Sequence, residues 1–151
     1  MSGDQIVTGI LTDRAPAPAG HYSQAVVSGG HVFISGQLPI RPDGRPLAGD
    51  GFEAQARQAI ENMLEILRAA GSTPQHLVKV TAYLVGVANW ACFNALYASM
   101  LPEARPARTV VPVPELHYGY LIEIDAIAMH EPTRGTHGHS QPDSRRDPGP
   151  R

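Results

Sequence analysis

Apolar residues recur at steps of three and four between positions 50 and 71, in "DGFEAQARQAIENMLEILRAAG". Phe52, Ala56, Ile60, Met63, Leu67 and Ala70 make one stripe, so the spacing predicts an amphipathic helix. Asp50 with Glu53 three residues later resembles a capping box at its start, and Gly71 is a C-terminal stop. A second helix is predicted from about Asn89 to Leu101, with Trp90, Phe93, Tyr97 and Met100 on one face and Pro102 marking its end. Six short stretches rich in β-branched and aromatic residues read as strands: "QIVTGI", "AVVSG", "HVFISGQL", "LVKVTAYLV", "RTVVPV" and "YLIEIDAIAM". The order is ββ(β)αβαββ. Two helices cover only one face of about six strands, which gives an α+β layer. In the last strand Ile122, Ile124, Ala126 and Ala128 point one way and suit the helices. Leu121, Glu123, Asp125, Ile127 and Met129 point the other way. That second face is mixed, as oligomer interfaces often are.

At 151 residues the chain fits one domain, placed at residues 1–130. Residues 131–151, rich in Pro, Gly, Ser and charge, lack the apolar side chains that offset ordering entropy, and are expected to be a disordered polar tail. His137 and His139 fall there as solvated residues. A net charge of -2 and 17% charged residues show no basic excess, which argues against nucleic acid or a membrane surface as the main partner. One cysteine, Cys92, excludes an internal disulfide and a cysteine metal site. On its predicted helix it reads as a buried, inert thiol. With no signal-like opening and no long apolar run, a cytoplasmic location is expected.

Two charges stand out because they interrupt β-branched runs: Arg108 in "PARTVV" and Glu123 in "LIEIDAIA". A short loop separates the two strands, and an antiparallel pairing would bring these positions together. They then make either an edge ion pair worth little or a ligand site, in which a guanidinium grips a small carboxylate and a glutamate activates water. Gly36 in "ISGQLP" is either a bulge or a place where a ligand approaches the backbone. Tyr22 in "HYSQAV" either packs or closes a pocket with its hydroxyl inward. Asn94 is either solvated and backbone-bonded or a ligand contact. No nucleotide, zincin or nucleophile-elbow motif occurs, and the remaining histidines are scattered, so neither metal nor cofactor is called for.

"HYSQAV", "ISGQLP", "AQARQAIENMLEILRAAG", "VKVTAYL", "FNALY", "PARTVV" and "LIEIDAIA" occur in the order and spacing of the RidA family, also called YjgF-like. The resemblance spans about residues 5–130. It implies a chorismate-mutase-like α+β fold, with a mixed sheet and two helices on one face, assembled as a homotrimer with clefts between subunits. It also implies cofactor-free hydrolysis of enamines and imines such as 2-aminoacrylate and 2-iminopropionate to 2-keto acids and ammonia. In that likeness Arg108 clamps the substrate carboxylate and Glu123 activates water. Tyr22 closes the pocket, Gly36 offers backbone, and Asn94 lines the cleft. The chain departs from the pattern at Val110, where many members carry Cys, and in "ELHYGYL", where His117, Tyr118 and Tyr120 are bulkier and more aromatic than usual. A different substrate is one expectation from these departures. A carboxylate-binding or interaction protein without turnover is another reading of the same cleft.

Overall fold

The computed structural model describes residues 6–131; the expectations for Gln5 and for the tail with His137 and His139 lie outside the described residues. Strands β1 (Thr8–Ile10), β2 (Ala25–Ser28), β3 (His31–Gln37), β4 (Leu77–Val85), β5 (Ala107–Val113) and β6 (Ile122–Met129) form one mixed sheet. Its order is β1-β2-β3-β6-β4-β5. Helix α1 (Phe52–Ala69) packs on β3 and β6, and α2 (Trp90–Met100) packs beside α1.

The predicted stripe of α1 is its buried face, since Phe52, Ala56, Ile60, Met63, Leu67 and Ala70 all enter the core. Opposite them come Ile122, Ile124, Ala126 and Ala128 from β6, with Val32, Val80 and Leu84 from its two neighbours. Removing one such side chain, as in Ile124→Ala, costs about 2–5 kcal/mol through lost transfer energy and the cavity left behind. Gly71 ends α1 as expected: at φ 73 it takes the left-handed conformation open to glycine. Its N–H donates to the Arg68 carbonyl, and the next N–H, of Ser72, donates to that of Leu67. The capping box at the other end does not form. The Asp50 N–H turns back to the Leu47 carbonyl, which leaves Asp50 outside the helix and Gly51 at the cap with no side-chain bond.

Helix α2 buries Phe93, Leu96 and Tyr97. Trp90, expected on that face, starts the helix 47% exposed. Cys92 is also exposed, one position off the buried stripe, so the expected burial of the thiol is corrected.

Strand pairing differs from the expectation in one place that governs the site. β5 does not pair with β6. After α2 the chain returns parallel to β4 and joins its outer edge, with Val80 opposite Arg108. Strand β6 runs antiparallel on the other side of β4, inserted between β4 and β3. The parallel strand–helix–strand crossover fixes the direction of β5, and the central slot goes to β6, whose alternate residues can be wholly buried. Pro112, which has no N–H to give, lies on β5 at the sheet margin, where strand prolines are tolerated.

Candidate active site

Arg108, on β5, is half-buried against α2. Its guanidinium lies 5.0 Å from the Tyr97 ring centre and 5.7 Å from that of Phe93, and it donates to Asn94 Oδ1 at 3.0 Å. Phe93, Asn94 and Tyr97 stand at steps of one and three on one helix, so a single turn supplies both the aromatic platform and the hydrogen bond. Among the described residues no carboxylate pairs with Arg108, so its fixed fork stays open to an anion. The Tyr97 hydroxyl is buried and without a hydrogen-bond partner among the described residues, and burial pushes its pKa up, against the pull of Arg108. Arg108, Asn94 and Tyr97 line a depression of about 490 Å³ that continues to Arg105 and Pro106.

Glu123 lines a second pocket, of about 380 Å³, with Tyr22, Ser35, Gly36, Leu38, His117 and Tyr118. Gly36 sits where the β3–β6 register shifts between Ile34 and Gln37, so it is a bulge and an approach point at once. A Cβ at Gly36 would collide with Glu123 Oε1, and only glycine lets that carboxylate lie against the strand. Burial raises the Glu123 pKa above the usual carboxylate range; His117 opposes the shift and Asp125 adds to it. Tyr22 is 51% exposed and its hydroxyl accepts from the Ala19 N–H at 3.3 Å, so it walls the pocket rather than filling the core. Ser35 Oγ donates to the Ser23 carbonyl at 2.6 Å, tying the wall to the bulge.

The aromatic end of this pocket is set by the turn His117–Gly119. Tyr118 is left-handed there, at φ 57, a conformation that costs a side chain of this kind about 1–2 kcal/mol. It is 84% exposed, with its ring edge-on to the buried Tyr120 at 6.3 Å and 6.2 Å from the His117 ring.

The two clusters do not meet within one chain. Arg108 is level with Val80 and, across it, Ala126, which face the helices. Glu123 is level with Tyr83 and, across it, Val111. Val80 and Tyr83 are three residues apart on one strand and so point to opposite faces. The expected convergence of Arg108 and Glu123 inside one subunit is therefore corrected, and so is the edge ion pair. The structure brings Arg108 together with Asn94, and Glu123 with Gly36 and Tyr22. The sequence reading missed Phe93 and Tyr97 as the platform for Arg108, because both also carry the helical stripe. It missed Leu38 because an aliphatic residue after a strand carries no signal of its own.

Among the described residues no cluster of three or more His, Cys, Asp or Glu could hold a metal ion, and no helix is long and apolar enough to cross a membrane. What the two clusters offer is an unneutralised cation with a hydrogen-bonding amide and, separately, a base of raised pKa in an aromatic-walled pocket.

Residues 12–130 match the family model described as Endoribonuclease L-PSP. The chain is 43% identical to a RutC family protein of Pyrococcus horikoshii over 122 residues, 81% of this chain and 97% of the relative. It is 37% identical over 123 residues to the rat protein named 2-iminobutanoate/2-iminopropanoate deaminase, covering 82% of this chain and 90% of that one. Among solved structures it resembles RidA from an Antarctic Psychrobacter, with a TM-score of 0.77 and 41% identity over 81% of this chain and 98% of that one. The fold and these likenesses agree, and the chain belongs to the L-PSP family, also called the YjgF/RidA family.

Proposed function

We propose that the protein hydrolyses reactive enamines and imines of the 2-aminoacrylate and 2-iminopropionate type to 2-keto acids and ammonia, in clefts formed between the subunits of a homotrimer. The observation that carries this reading is the split site: a carboxylate-binding half, Arg108 with Asn94, and a base-bearing half, Glu123 with Gly36 and Tyr22, on opposite faces of one sheet. A ring of identical subunits joined head to tail brings two different patches together at every contact, so the Arg108 half of one subunit can meet the Glu123 half of the next. The relative named as an imine deaminase supports the choice of substrate.

In this reading Arg108 holds the substrate carboxylate and Asn94 keeps the guanidinium in place. An enamine first takes a proton from solvent at C3 and becomes the protonated imine; Glu123 of the neighbouring subunit then takes a proton from water as the water oxygen bonds to the imine carbon. The amino alcohol then collapses. The C–N bond breaks with its electron pair going to nitrogen, both water protons end on nitrogen as ammonium, and the oxygen stays as the ketone. Tyr22 closes the pocket, and the Gly36 backbone leaves Glu123 room to lie beside the reacting carbon. No cofactor is invoked, because the protonated imine carbon is already electrophilic. A cytoplasmic location fits a chain with a single cysteine.

The test mixes two disabled variants. Arg108→Ala and Glu123→Gln are each expected to lose about a hundred- to ten-thousand-fold in kcat when a dehydratase supplies 2-aminoacrylate and keto acid is followed. Dissociated together and reassembled, they regain about a quarter of wild-type activity, since one contact in four then pairs an intact Arg108 with an intact Glu123. No recovery would overturn the shared site. Absence of wild-type turnover, with 2-oxobutyrate still stabilising the protein against heat, would favour a carboxylate binder. Val110 and the aromatic segment His117–Tyr120 favour a second reading, a deaminase or hydrolase of the same fold serving one specific intermediate.

A further inference from the structure

The Glu123 pocket of the lone chain is an open cleft with a more aromatic wall than a three-carbon substrate uses. Its cavity of about 380 Å³ is walled by Tyr22, Leu38, His117 and Tyr118, while its ionisable floor is Glu123. On the proposed reading, on which this inference rests, the substrate carboxylate lies at Arg108 and the reacting carbon at Glu123. What extends beyond Glu123 is then the substrate side chain, and a methyl or methylene group leaves most of the aromatic wall untouched.

Tyr118 gives the second observation. Its backbone is left-handed at φ 57, and its side chain stands 84% exposed at the pocket mouth. A large ring left exposed by the lone chain is unfavourable in water, and in the proposed cleft it is covered by the substrate or by the neighbouring subunit. Tyr120, 3% exposed, meets the ring edge-on at 82°, and His117 flanks it, so Tyr118 adds an aromatic surface of the kind that stacks or meets other rings edge to face.

We infer that this pocket is a side-chain subsite for aromatic 2-imino acids, with Tyr118 as the residue that sets the preference. The chain takes 2-imino-3-phenylpropanoate in preference to 2-iminopropanoate, with the phenyl ring against Tyr118 and Tyr22 and the imine carbon over Glu123.

An L-amino-acid oxidase supplied with L-phenylalanine or L-alanine generates the two imines in place, and semicarbazide traps what the protein leaves. The full chain is expected to show a kcat/KM about tenfold higher for the phenylalanine-derived imine. In Tyr118→Ala that preference falls about fivefold. It falls equally in Tyr118→Asn, which accepts the left-handed backbone and so separates loss of the ring from relief of strain. A wild-type preference for the alanine-derived imine, or a ratio unchanged in both variants, overturns the aromatic subsite and leaves the deaminase reading intact. Turnover of neither imine overturns the deaminase reading and this inference with it.

Discussion

Burial raises the Glu123 carboxyl above its usual range, which makes its carboxylate a stronger base and also a costlier group to keep ionised. The sign follows from linkage: a raised acid contributes stability that is present below the ordinary carboxylate range and lost as pH rises through the raised value. Glu123→Gln is therefore expected to raise the melting temperature at neutral pH while removing turnover. The acid limb of kcat/KM should lie above the ordinary carboxylate range, with activity lost as pH falls through it. Asp125→Asn, which removes a like charge, moves that limb to lower pH. His117→Gln, which removes an opposing charge, moves it to higher pH. A pH–rate series on the three proteins checks the order, and limbs that move together would disconnect Glu123 from the rate. Glu123 and Arg108 stand out in the sequence itself, because a glutamate and an arginine inside β-branched runs are costly unless used. The Arg108 platform does not, because Phe93 and Tyr97 serve as core residues and as cation partners with the same spacing.

Three buried carboxamides tie the loops around the Glu123 pocket to the rest of the fold. Gln24 accepts from the Thr12 N–H at 2.7 Å and donates to the carbonyls of Thr12, Ala15 and Pro16, upstream of Tyr22. Asn62 on α1 donates to the carbonyls of Leu38 and Ile40. Gln55, one turn into α1, donates to the Asp50 carbonyl and accepts from the Leu121 N–H at 2.9 Å, just before β6 begins. Gln55→Leu keeps the volume and leaves the part-buried Leu121 N–H unpaired, which costs about 1–3 kcal/mol. A urea titration should show that loss, and kcat should fall as the segment leading to Glu123 loosens; an unchanged midpoint would remove Gln55 from this role. The helices and the inward residues of β6 were readable as elements because their periods are distinct. Which strands pair was not, because consecutive strands are usually neighbours and here β4 lies between β5 and β6. Direction decided it: the crossover through α2 makes β5 parallel to β4, a relation that no side-chain period records.

At the scale of the molecule, helices cover one sheet face and leave the other open. On the open face Phe33 and Met129 are partly exposed, and Asp125 accepts from the Tyr83 hydroxyl at 3.4 Å. Burial raises the Asp125 pKa, held back by Tyr83, Thr81 and Lys79. The mixed character read from alternate residues of the last strand is thus a property of the whole face, and it suits contact with other subunits. Arg108 looks out on one side of this sheet and Glu123 on the other, so on the proposed reading a lone subunit owns two half-sites and no whole one. Catalysis then becomes a function of how much protein is in the tube. Serial dilution should leave the rate per milligram constant until subunits part, then drive it toward zero, with the breakpoint coinciding with the loss of trimer in sedimentation. A rate per milligram that stays level after the subunits have separated would mean that a single chain completes the reaction by itself.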